Sequence, residues 1–361
     1  MIALFHFPWD IHSHLLDFAV IDNIWLYTDF FFVLSGFIIA ASYQESLRDG
    51  NGAWRFFLLR IGRLYPLHVA VLAAFILRDG LVVMASAAGL PGMSPQFQHD
   101  DLQRIFSYLG MLQGFPQLQS NEWNSPSWSI SAEFCSYVVF AGLVALCGRR
   151  VVAGFVLVAI VSSSAFWLLV MQPGVDRLGL YTEFGVLRSL CAFSIGAIAW
   201  NLQKTIRLVL DGKHEVALVL LTVACVMLVP EAAVLLVGPY LCAVLVMQFS
   251  HEAGPLSWLL RRKPLRLLGR LSYSIYMTHT ILIQSGLDAM WALDHLFGIG
   301  PAQLDHLAGN PWKGDVVALL YLSALIGISA LTYRYIEVPA RDWFRRLAGA
   351  RVPVLGALGR G

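Results

Sequence analysis

Apolar runs of about twenty residues recur along almost the whole chain, separated by short polar stretches where the Lys and Arg residues collect. A helix of that length matches the hydrocarbon thickness of a bilayer. The pattern predicts spans at about 25–43, 61–84, 128–147, 151–171, 184–202, 214–230, 232–250, 268–287 and 315–336. An incomplete first span, Met1 to Phe7, brings the total to about ten, and Pro230-Glu231 splits the stretch 214–250. Short segments alternating apolar with polar, the mark of a membrane barrel, are not seen. The expected fold is therefore all-α, a polytopic transmembrane helical bundle. Pro66 falls in the first turns of the span at 61–84, where a missing N–H is tolerated. The longest polar stretch, about 85–126, is punctuated by Pro91, Pro95, Pro116 and Pro126, and a loop of that length is usually functional or mobile.

Composition supports the pattern. Hydrophobic residues make up 58% and charged residues 13%, against roughly 25% charged in ordinary soluble domains. If the loop at 43–60 is cytoplasmic, 20 of the 25 Lys and Arg residues fall on the same side, the other five being Arg78, Arg104, Arg177, Arg188 and Lys313. The positive-inside rule then puts the C-terminus in the cytoplasm and makes the expected location the inner (plasma) membrane. A net charge of +2 gives no reason to expect a nucleic-acid partner. Cys135, Cys147, Cys191, Cys225 and Cys242 lie in or beside apolar spans without metal-type spacing, and read as small buried hydrophobes. His12 and His14 lack a third ligand at helix-fixed spacing, so no metal is expected. The N-terminus has no basic region ahead of its apolar residues, as a cleavable signal would require. No internal repeat is visible, which disfavours transporters built from duplicated halves.

Ionisable groups inside apolar spans are expensive and tend to mark a protein interior or a water-filled cavity. His6 stands at the outer end of the first span, where neutral imidazole can act as a general base. Asp29, at the start of the second span, is either the carboxylate that fixes its tautomer or a helix cap. Arg60 and Arg63, three residues apart, can present two guanidiniums to one anion, or serve only as topology signals. Glu133 lies about a turn and a half into the span that Trp128 opens, and needs a partner there. Ser272, Tyr276 and His279 share a helix face, and Glu337 is expected to pair with nearby arginines.

Five segments, in order, resemble the acyltransferase family 3 of membrane O-acyltransferases. They are Asp29–Ile38 (with Ser35), Arg60–Leu67 (with Tyr65), Trp128–Tyr137, Leu268–His279 and Tyr335–Arg341, and the resemblance covers about residues 1–345. It divides the chain into a membrane acyltransferase domain, 1–345, and a basic cytoplasmic tail, 346–361. It implies an acyl-CoA donor, acetyl-CoA above all, and a hydroxyl acceptor on a sugar, a cell-envelope polysaccharide or a small molecule. Residue by residue, it implies a catalytic role for His6, with Asp29 and Glu133 near it, and donor handling by Arg60, Arg63 and Tyr65. Ser35, Trp128, Tyr276 and His279 are further site residues. Two departures stand out: Ser136 replaces a common aromatic, and the family's arginine eleven residues before the histidine would precede Met1. That leaves open a start further upstream, a fragment or an inactive relative. Outside the family, the competing class is a transporter or flippase for an anionic or glycan-linked substrate.

Overall fold

The computed structural model describes residues 2–7, 11, 13–16, 25–48, 52–89, 101–115, 123–172, 184–206, 212–228, 231–298 and 310–349, and their regular structure is entirely helical. The helices are α1 Ile2–Phe5, α2 Trp25–Arg48, α3 Ala53–Ala87, α4 Asp101–Leu109, α5 Trp128–Cys147, α6 Val151–Val170 and α7 Gly185–Thr205. They continue as α8 Gly212–Leu228, α9 Glu231–Phe249, α10 Pro255–Leu260, α11 Lys263–Phe297, α12 Pro311–Thr332 and α13 Val338–Leu347. A π-turn, Tyr333–Glu337, joins the last two. Among the described residues, five helical stretches are long and apolar enough to cross a membrane: Leu26–Arg48, Ala53–Ala87, Ser125–Val170, Gly185–Thr205 and Pro311–Leu347. The third contains both α5 and α6, which Gly148 separates by adopting φ 51°.

Close contact between α2 and α7 forms the spine. A Cβ on Gly36 would stand 2.0 Å from the Phe193 carbonyl oxygen, and one on Gly196 would stand 2.0 Å from that of Val33. Two backbones approach this closely only across glycine, as membrane helices without a hydrophobic drive between them often do. Asp29 pairs with Arg188 at one end of the spine (2.9 Å), and Gln44 and Asn201 exchange amide hydrogen bonds towards the other (2.9 Å each). Residue numbers rise together from the ion pair to the amide pair, so α2 and α7 are parallel. α5 joins them in the same direction through Ser35–Glu133 and Ser136–Ser189. A second set contains α3 and α11, also parallel: Tyr273 donates to the Leu64 carbonyl, and Arg78 clamps Asp288 at 2.6 and 2.8 Å. α12 runs antiparallel to α11, with Thr278 meeting Ser329. These directions are those that the alternation of spans in the sequence requires.

Three expectations change. α3 begins at Ala53, not near 61, so Pro66 lies inside the helix. Membrane helices absorb such a proline because neighbours satisfy the freed groups. α11 extends well beyond 268–287 at both ends, to Lys263–Phe297. The polar stretch 85–126 is partly built into the bundle: Tyr65 donates to the Leu109 carbonyl, the His68 ring bonds that of Tyr108, and Ser131 donates to that of Met111. Trp123 donates to Asp79, which also binds Arg78. Carbonyls freed by the irregular chain thus find partners on the spans. Residues 90–100 and 116–122 lie outside the described set, as does the tail beyond residue 349.

Candidate active site

His6 follows the last residue of α1, and its ring centroid lies 5.0 Å from that of His279 on α11. His6 Nδ1 is 3.0 Å from the Ile2 carbonyl oxygen and 3.3 Å from His279 Nε2, while His279 Nδ1 is 2.6 Å from the Tyr276 carbonyl oxygen. A carbonyl only accepts, so both rings carry their proton on Nδ1. His279 Nε2 is then a lone pair that can share the His6 Nδ1 proton. This leaves His6 Nε2 as a lone pair with no hydrogen-bond partner among the described residues. The unpartnered ring nitrogen of the pair is thus a base.

Tyr276, one turn before His279, bonds Ser129 Oγ and the Pro126 carbonyl at 2.6 Å each. From Ser129 a polar stripe follows one face of α5 at helical spacing: Ser129, Glu133, Tyr137. Glu133 Oε1 accepts from Ser35 at 2.5 Å and from Tyr137 at 2.6 Å. The Arg60 guanidinium lies 5.9 Å from the Tyr137 ring centroid and 4.9 Å from that of Tyr43, whose hydroxyl it bonds at 2.9 Å. The stripe therefore links the histidine pair to the first arginine. Leu64 of α3 and Tyr273 of α11 are level with one another. Arg60 lies a turn to one side of that level and His279 nearly two turns to the other, an axial separation of about 15 Å.

The structure thus brings together His6, His279, Tyr276, Glu133, Ser35 and Arg60, and it gives Asp29, Tyr65 and Glu337 hydrogen-bond partners outside this group. Asp29 is not the partner of His6; its carboxylate is taken by Arg188, because a buried acid is satisfied by the nearest guanidinium. Tyr65 donates its hydroxyl to the Leu109 carbonyl at 3.0 Å. Glu337 is buried and accepts from Ser274, with Arg63 and Arg341 acting on it only at longer range. Arg63 is exposed and makes no hydrogen bond among the described residues, so the two arginines share a face but not a partner. Trp128 forms a wall: its ring meets Phe32 edge-on, faces Arg188, and fills the space a side chain at Gly185 would need.

Sequence reading missed Tyr43, Tyr137 and Ser129. The four-residue spacing of Ser129, Glu133 and Tyr137 was the available signal for the stripe. A separate cavity of about 190 Å³ lies beside the Asp29–Arg188 pair, lined also by Ser163, Phe166, Cys191 and Tyr240.

A family model described as an acyltransferase domain matches residues 2–334. The chain belongs to this family, acyltransferase family 3, and the helical bundle above is that of a membrane acyltransferase. It is 26% identical to the acyltransferase MdmB of Streptomyces mycarofaciens over 363 aligned positions, 91% of this chain and 82% of that protein. It is also 33% identical to protein 2 in the picA locus of Rhizobium radiobacter over 147 positions, 36% of this chain and 73% of that one. No solved structure matches the chain significantly.

Proposed function

We propose that this protein moves an acyl group, in the simplest case acetyl, from acyl-CoA to a hydroxyl of a sugar or cell-envelope polysaccharide. The observation that carries the reading is the open Nε2 of His6, at one end of a polar stripe whose other end is Arg60. The arginine end is the cytoplasmic one by the distribution of basic residues, where coenzyme A is available. Arg60 and Arg63 meet the donor's phosphates, and the thioester arm follows the stripe towards His6. Such an arm has to cover the 15 Å or so of axial rise between them.

His6 Nε2 takes the proton of the incoming hydroxyl, and the oxygen attacks the thioester carbonyl carbon. The tetrahedral intermediate then collapses with cleavage of the carbon–sulfur bond. The thiolate of coenzyme A leaves with the proton that His6 held. His279 stabilises the imidazolium stage through the shared Nδ1 hydrogen, with no carboxylate needed.

The test is label transfer from radiolabelled acetyl-CoA in membranes carrying the wild type, His6→Ala or Arg60→Ala. His6→Ala is expected to fold normally and lose about 10²–10⁴-fold in rate, and Arg60→Ala to raise the KM for the donor. Full activity in His6→Ala removes the histidine from the mechanism. If the wild type neither binds nor turns over an acyl-CoA, the proposal is wrong and a transport role for the same polar path gains.

A further inference from the structure

The C-terminal helix lies directly on the stretch of α3 that carries the paired arginines. Phe344 of α13 presses on Gly62, so that a Cβ at Gly62 would fall 2.4 Å from Phe344 Cβ. Gly62 stands between Arg60 and Arg63 in the sequence. Arg341 is three residues before Phe344, on the same face of α13. Its guanidinium lies 6.0 Å from the Tyr333 ring centroid, and its Nε is buried without a hydrogen-bond partner among the described residues, as is that of Arg60.

Glu337 sits at the junction of these elements. The π-turn places it next to α13, Ser274 of α11 donates to it, and both Arg63 and Arg341 act on it electrostatically. Elsewhere Arg48, Arg78, Arg188, Arg261 and Arg345 each reach an acid within 3.5 Å. Among the described residues Arg60, Arg63 and Arg341 do not, and of the described arginines without an acid partner Arg60 and Arg341 are the ones whose Nε is buried and unbonded. Two guanidiniums acting on one carboxylate, with Arg60 one turn before Arg63 on the same face of α3, leave an excess of positive charge with unused donors. Such an arrangement suits a multiply charged anion, for which fork-shaped guanidiniums are the usual recognition group.

We propose that Arg341 completes the phosphate-binding site for the acyl donor, with Glu337 the carboxylate on which both Arg341 and Arg63 act. The inference rests on the reading of Arg60 and Arg63 as donor-binding residues. The ligand class is an organic phosphate or diphosphate ester, a chemistry that a phospholipid headgroup shares with coenzyme A. π-Turns often occur at functional sites, and this one leads directly into the helix that carries Arg341.

The experiment compares acetyl-CoA with the acetyl thioester of N-acetylcysteamine, which keeps the thioester and has no phosphate. Assays use the full chain in nanodiscs of phosphatidylcholine, with and without phosphatidylglycerol. Arg341→Ala is expected to raise the KM for acetyl-CoA about tenfold, the effect of one lost charge-assisted contact. Turnover of the phosphate-free thioester should not change, and Arg341→Lys should recover part of the loss. Equal losses with both donors, or no loss with either, would overturn the proposal in favour of a packing role. An effect seen only with phosphatidylglycerol present, at unchanged donor KM, would overturn it in favour of a lipid headgroup. If Arg60→Ala and Arg63→Ala also leave the KM for acetyl-CoA unchanged, the donor-site reading itself falls; if only Arg341→Ala is silent, this inference alone falls.

Discussion

His6 Nδ1 and His279 Nε2 lie 3.3 Å apart, and the other Nδ1 contacts of the two rings are with main-chain carbonyls of Ile2 and Tyr276. One imidazole thus orients the other, a task a carboxylate performs in many acid–base sites.

Replacing His279 tests that arrangement. His279→Phe keeps the ring volume and removes the acceptor, so kcat should fall about tenfold or more while protein yield and donor KM hold. His279→Gln, which offers a carbonyl acceptor, should recover part of the rate. Wild-type kcat in His279→Phe would show that His6 does not depend on its neighbour.

The buried pair between Asp29 and Arg188 is a stability element in this structure. Asp29→Leu strands a guanidinium in an apolar setting and should cost about 3–5 kcal/mol. Coupling Asp29→Leu with Arg188→Met removes both charges and should regain most of that loss. Thermal unfolding of the purified protein in detergent reads both. Two single variants as stable as the wild type would contradict the assignment.

Glycine substitutions in three membrane helices should fall into two classes of opposite sign. Gly36→Ala and Gly196→Ala each drive a methyl into a carbonyl oxygen of the facing helix and should abolish folded protein. Gly80, in α3, has nothing within 4 Å of the added methyl. Gly80→Ala should therefore be neutral or stabilising by up to about 1 kcal/mol, from helix propensity alone. Fluorescence-detected size exclusion of tagged variants separates the two classes.

Trp123→Phe keeps an aromatic ring at that position but removes the N–H that Asp79 accepts at 3.0 Å. The change should cost about 1–3 kcal/mol, the usual penalty for depriving a buried polar group of a partner. Loosening of the segment around α4 would appear as faster tryptic cleavage at Arg104. Unchanged cleavage would mean that the Tyr65, His68 and Ser131 contacts are enough to hold the segment.

The bundle was legible in the sequence because the bilayer imposes one length and one polarity on each span. Residues such as Glu133 and His279 were legible because ionisable groups stand out in an apolar run. Their partners were not. Asp29 and Arg188 are 159 positions apart, and nothing local to Asp29 distinguishes an ion pair from a helix cap. Tyr65 looked like part of the arginine motif, yet its hydroxyl is taken by a carbonyl of α4. The inward fold of 101–115 was hidden for a related reason: its polar groups are satisfied by Tyr65, His68 and Ser131, which read locally as ordinary residues of spans.

The parallel set of α2, α5 and α7 is bound within itself by glycine contacts, an ion pair and paired amides. The set of α3 and α11 is bound within itself by Tyr273–Leu64 and the Arg78–Asp288 clamp. Along the candidate site, polar links between the two sets run through phenols and a serine: Tyr43 to Arg60, and Ser129 to Tyr276. The site therefore follows a seam between two braced blocks. A long, thin substrate can enter a seam by displacing a few hydroxyls one after another, leaving both blocks intact, much as a zip opens only where the slider stands.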